Sequence, residues 1–116
     1  MQLSKMKRKE ILKSVLKRAK SRKRSDIEFA WIEYLEENLS FPFEAEVHLY
    51  SYSEVLKSGD IVKVTGIEGI IDLYGMIMNV KKERRKYVVP LAELNPVDAN
   101  SPNSGMLDAY LEWEEE

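Results

Sequence analysis

Cysteine is absent from the 116 residues, so the chain has no disulfide framework, thiolate zinc site or thiol nucleophile, and it suits a reducing interior. Histidine is nearly absent. His48, the single one, cannot build a multi-histidine metal centre, and no motif sets a serine beside it, so it reads as a surface residue on the polar side of a strand. Long apolar runs are also missing. Lysines and arginines interrupt Ile11, Leu12, Val15 and Leu16, which removes the h-region of a secretory leader, and no segment reaches the roughly 20 apolar residues that span a bilayer. The expectation is a cytoplasmic protein. Gly66-Ile67-Glu68-Gly69 lacks the lysine and hydroxyl of a phosphate-binding loop and predicts a turn. The pairs Glu33/Glu37 and Asp108/Glu112 share helix faces, yet no sign of a substrate cleft accompanies them, and no enzymatic activity is expected.

What the chain has in plenty is charge, and the charge is segregated. The first 24 residues hold eleven lysines and arginines against the single acid Glu10, whereas the remainder holds seven bases against nineteen acids. The formal net charge of −2 conceals this division. A carboxylate-rich body attracts cations and a basic arm attracts polyanions, so function is to be sought in charge rather than in a catalytic constellation. An apolar fraction of 44% suffices for one core, which predicts a basic helical extension over residues 1–24 and a single acidic domain over residues 25–116.

Leu12, Val15, Leu16 and Ala19 follow helical spacing among lysines and arginines, the pattern of a basic amphipathic helix. Ser25-Asp26-Ile27-Glu28 has the form of a capping box and predicts a second helix over residues 26–39, with Ile27, Ala30, Trp31, Tyr34 and Leu35 on its apolar face. After Pro42, alternation from Phe43 to Tyr50 predicts a half-buried strand. Further strands are expected at Ile61–Thr65, Gly75–Val80 and Tyr87–Leu91, with Lys81 to Lys86 as a charged hairpin connection. Leu91 to Leu94 reads as a tight helical turn, Asn95 to Gly105 as a loop, and Met106 to Trp113 as a closing helix. Strands this short and closely spaced predict an α+β fold: a small antiparallel β-barrel, Src-homology-3-like in outline, flanked by N-terminal helices and a short C-terminal helix.

Calcium prefers six to eight oxygen ligands, and the acidic domain offers them. Asp98, Asn100, Asn103 and Asp108 bracket the predicted loop, Glu112 follows one helical turn after Asp108, and Glu114, Glu115 and Glu116 crowd the end of the chain. The EF-hand rule fails, because Pro102, Asn103 and Ala109 occupy positions where a ligand, a glycine and the bidentate glutamate are required, so a calcium site here is a discontinuous surface site. On composition alone the same acids simply solvate the surface.

Trp31-Ile32-Glu33-Tyr34-Leu35-Glu36, followed by Phe41-Pro42-Phe43-Glu44-Ala45, resembles the signature of a cyanobacterial and bacterial family of small calcium-binding proteins. Val89-Pro90-Leu91-Ala92-Glu93-Leu94 and the acidic, aromatic stretch Asp108 to Trp113 are similar to the family's later segments, so the resemblance covers residues 26–113. It implies calcium as the bound ion, held by acidic surface patches in the service of buffering or signalling. Glu36 and Asp108 are the acids it matches, while Trp31, Tyr34, Phe41, Phe43 and Trp113 match core positions. With the spacing arguments, the candidate metal ligands are Glu36, Asp98, Asp108 and Glu112, supported by Glu33, Glu37 and Asn100. One departure is plain: where the family carries acids before the tryptophan, this chain has Arg22-Lys23-Arg24 and only Asp26 and Glu28. Neighbouring cations compete with a metal for carboxylates, which predicts weaker, salt-dependent affinity.

The alternative function is nucleic-acid binding through Lys7, Arg8, Lys9, Lys13, Lys17, Arg18, Arg22, Lys23 and Arg24, extended by the hairpin tip at Lys81 to Lys86. Without aromatic residues in the arm, base stacking plays no part. An arm docked on the acids of its own chain, and a barrel acting as a protein-interaction module, are the other readings.

Overall fold

The computed structural model describes residues 5–48 and 55–116, the side chains of Lys5 and Met6 excepted. Its elements are α1 (Lys5–Arg18), α2 (Arg24–Asn38), β1 (Phe43–Val47), β2 (Ile61–Ile71), β3 (Gly75–Lys82), β4 (Arg85–Pro90), β5 (Leu94–Pro96) and α3 (Pro102–Glu114), with a 3-10 turn at Leu91–Glu93. The expected strand end at Leu49 and Tyr50 lies outside the described residues. The chain divides into two compact units. One comprises the described parts of Met1–Leu39 and Ala99–Glu116, the other the described parts of Ser40–Asp98.

In the helical unit, α1 packs against both α2 and α3. Ile11 and Val15 are its buried residues, four apart on one face. α2 buries Ile27, Ala30, Trp31 and Leu35, the predicted face with Tyr34 at its half-buried margin. Its start differs from the expected capping box: the helix begins at Arg24, and Lys23, at the N-cap, contributes no side-chain bond. Ser21 serves instead, its Oγ donating to Asp26 Oδ2 (2.5 Å) and accepting from the Lys23 N–H (3.1 Å). α3 begins four residues before the expected helix. Pro102 occupies its first turn, where a missing N–H is harmless, and the Ser101 side chain accepts from the Ser104 N–H at 3.3 Å.

The sheet unit holds five antiparallel strands in the order β4-β3-β2-β1-β5. Ala45, Val47, Val62, Val64, Met76, Met78, Val80, Val89, Leu91 and Leu94 are buried along them. β2 runs to Ile71, through the predicted turn Gly66 to Gly69. Its register shifts between Val64 and Gly66 and again between Ile67 and Gly69, and glycine suits such bulges because it has no side chain to place in the disturbed ladder. β5 claims Leu94 to Pro96 from the expected loop. Closure into a barrel is not seen. β4 and β5 are the edges of an open sheet, both end on proline, which has no N–H to donate, and β5 is three residues long.

Candidate metal centre

Asp108 and Glu112 lie four residues apart on α3, hence on one face of it. Glu112 Oε2 accepts from Arg8 Nη1 of α1 at 3.0 Å. Burial raises the Asp108 carboxyl above its ordinary range, and the positive charge of Arg8 opposes that shift. A cavity of 390 Å³ adjoins Glu112 but not Asp108, lined by Arg8, Lys9, Leu12, Ala109, Glu112, Trp113 and Glu116. Glu114, in the last turn of α3, is also raised by burial, against the Tyr110 hydrogen bond and the charge of Arg24. Arg24 stacks over Trp113 with its guanidinium carbon 4.6 Å from the ring centroid, and Nη2 donates to the Glu114 carbonyl at 3.4 Å.

Glu33, Glu36 and Glu37 are exposed on the C-terminal half of α2, at spacings that set Glu33 beside both of the others. Arg18 binds Glu37 Oε2 at 2.5 Å and lies 5.6 Å from the Tyr34 ring centroid. That hydrogen bond lowers the Glu37 pKa and raises that of Arg18. Asp98 and Asn100 are exposed in the connection from β5 to α3, Asp98 ending the sheet unit and Asn100 belonging to the helical one. Asn103 is buried in the first turn of α3 and offers no surface oxygen. The candidates therefore fall into an α3 pair, an α2 trio and a connecting segment. Among the described residues no three acids or histidines stand close enough to share a metal ion. The donor chemistry still fits a hard cation, since the acids supply oxygen alone, and Arg8 holds one of the oxygens that such an ion would take.

Arg8 and Arg18 bind acids of α3 and α2, Arg22 donates to the Leu16 carbonyl at 3.0 Å, and Arg24 meets Glu28 at 3.7 Å. Lys7, Lys9, Lys13, Lys17 and Lys23 remain exposed. The sequence placed Arg8 among the candidate phosphate contacts, and local sequence carries no signal for a partner on a helix at the far end of the chain. His48 is exposed with Nε2 3.8 Å from Glu46 Oε1. Among the described residues no helix is long and apolar enough to cross a membrane.

An open antiparallel sheet accompanied by three helices, with carboxylates on two of them, defines a small α+β protein. Residues 14–114 match the model of the CcbP family, described as calcium binding, and the chain belongs to that family. Among solved structures, that of Anabaena CcbP is similar with a TM-score of 0.73 at 18% identity, covering 98% of this chain and 95% of the other. A calcium-binding protein in its calcium-binding form gives 0.61 at 17% identity, with 94% and 90% covered. At these identities the two show a common fold. A comparison with curated proteins returns no match.

Proposed function

We propose that this chain binds calcium through surface carboxylates, with Asp108 and Glu112 of α3 as the principal ligands. The trio Glu33, Glu36 and Glu37 forms a second acidic patch on α2, and Asp98 and Asn100 are separate, subsidiary candidates. The observation that carries the reading is the placement of two carboxylates, Asp108 and Glu112, on one face of α3, with Arg8 bonded to Glu112 and its positive charge acting on Asp108. A divalent ion supplies more charge at that place than the guanidinium does, and it accepts several oxygens at once. Membership of a calcium-binding family supports the choice of ion. Such binding suits buffering or signalling.

Calorimetric titration with calcium and with magnesium at physiological salt tests it. The expected result is calcium heat and a raised thermal midpoint in the wild type, both lost in Asp108→Asn/Glu112→Gln and kept in Glu33→Gln/Glu37→Gln. A wild type that shows neither heat nor a midpoint shift with calcium sinks the reading.

A further inference from the structure

Six of the seven basic residues that follow Arg24 gather at one end of three adjacent strands: Lys63 on β2, Lys81 and Lys82 on β3, Arg84 in the turn, and Arg85 and Lys86 on β4. The register sharpens this concentration into a row. Lys63 is paired with Lys81 across β2 and β3, and Lys81 with Lys86 across β3 and β4. Residues directly opposite in a ladder point to one face with Cβ atoms roughly 4.5–5.5 Å apart, and like charges so placed repel. All three lysines are exposed, while Val62, Val64 and Val80 beside them in sequence are buried, so the row stands on the wet face of the sheet. Lys82 alternates to the other face and binds Asp60 at 2.9 Å. Lys81 and Lys86 have no carboxylate partner among the described residues, and the acid nearest in register is Glu44, opposite Lys63.

Edge protection does not account for the row. Lysines guard exposed sheet edges against pairing with other chains, and Lys86 on β4 fits that purpose. Lys63 and Lys81 lie on β2 and β3, which are paired on both sides. Their repulsion is retained without that benefit.

We infer that the Lys63–Lys81–Lys86 row is a binding track for the phosphate backbone of duplex nucleic acid. The row spans roughly 10 Å at ordinary strand spacing, and a duplex carries a charge for about every 1.7 Å of its axis, so the lysines meet several phosphates at once. Lysine serves as a point charge and needs no fixed geometry at the phosphate, which suits contact without sequence readout. A protein partner fits poorly, because interface centres are depleted of lysine and here lysines form the centre. An anionic bilayer requires apolar anchors, and single strands require aromatic platforms. The next positions on this face are Asn79 and Val88, with no ring between them.

The test uses the full chain and Lys63→Gln/Lys81→Gln/Lys86→Gln, titrated by fluorescence anisotropy against a labelled mixed-sequence DNA duplex and its single strand. Co-sedimentation with phosphatidylserine vesicles runs in parallel. The expected result is duplex binding by the wild type that weakens between ~50 and ~200 mM salt with a log–log slope near −3, about 0.9 per lysine–phosphate contact. The triple variant then binds at least about tenfold more weakly with a shallower slope, and its thermal midpoint is unchanged or higher because repulsion has been removed. Four results overturn the inference: duplex binding that the triple variant leaves intact, a single strand bound as tightly as the duplex, vesicles bound while duplex is not, or a fall in the variant's midpoint that marks the row as structural.

Discussion

Trp31 is wholly buried, edge-on to Tyr34 and Tyr110 and tilted against Trp113 at centroid separations of 5.5 to 6.3 Å. Its Nε1 has no hydrogen-bond partner among the described residues. Burying some 150–250 Å² of indole is worth about 4–6 kcal/mol, against about 1–3 kcal/mol for an unmade bond, so packing wins. Trp31→Ala is therefore expected to lower the unfolding free energy by about 3–5 kcal/mol in urea denaturation, and Trp31→Phe by much less. Asp108 makes the opposite prediction. A carboxyl whose pKa is higher in the folded than in the unfolded chain loses stability as pH rises from the ordinary 3.8 through the folded value. Asp108→Asn should raise the thermal midpoint above that window, leave it unchanged below, and abolish the calcium heat. A lower midpoint at neutral pH would assign the carboxylate to structure instead. The tryptophan was legible from its spacing with Ile27, Ala30 and Leu35, whereas the electrostatic setting of Asp108 was not, because the charge of Arg8 reaches it only through the packing of α3 and α1.

Helical periodicity survived into the structure in α2, which buries one face and departs from its expected bounds only at the ends, whereas the first turns of α3 are buried all round. The sheet was less legible. Gly66 and Gly69 signal a turn and a bulge equally well in local sequence, and only the pairing of β2 with β3 decides between them. The same ambiguity attends the serines. Ser25 heads a capping-box pattern yet lies inside α2, while Ser101, in a segment that reads as loop, caps α3. Alanine at the two positions should therefore have unequal effects: Ser101→Ala costs about 1 kcal/mol by chemical denaturation, and Ser25→Ala stays within about 0.5 kcal/mol. Equal losses would contradict the assignment of the caps. The ladder of three lysines was equally invisible, since Lys63 and Lys86 become neighbours of Lys81 only through the register of three strands.

Across the whole chain, the segregation of charge was plain from the sequence, but its use was not. Arg8 and Arg18 of the basic segment are turned to acids of α3 and α2, and Arg24 lies over Trp113, which follows from chemistry: a planar guanidinium pairs with carboxylates and stacks on rings. Pairs this exposed contribute little to stability, too little to explain a segment so strongly charged. Their consequence for the cation is larger. Arg8 occupies an oxygen of Glu112 and faces Asp108, so calcium at that pair must displace a charge that is already in place, and screening weakens both attractions. Arg8→Gln should therefore raise calcium affinity several-fold in low-salt calorimetry, with a smaller gain as salt increases. Arg18→Gln, which frees Glu37 on α2, should leave the α3 affinity alone and instead remove the stabilisation that the wild type gains above the ordinary glutamate value of 4.5 and loses as pH falls through the depressed value. An Arg8→Gln protein that binds calcium more weakly with its thermal midpoint intact would show that the guanidinium positions Glu112 for the ion rather than competing with it.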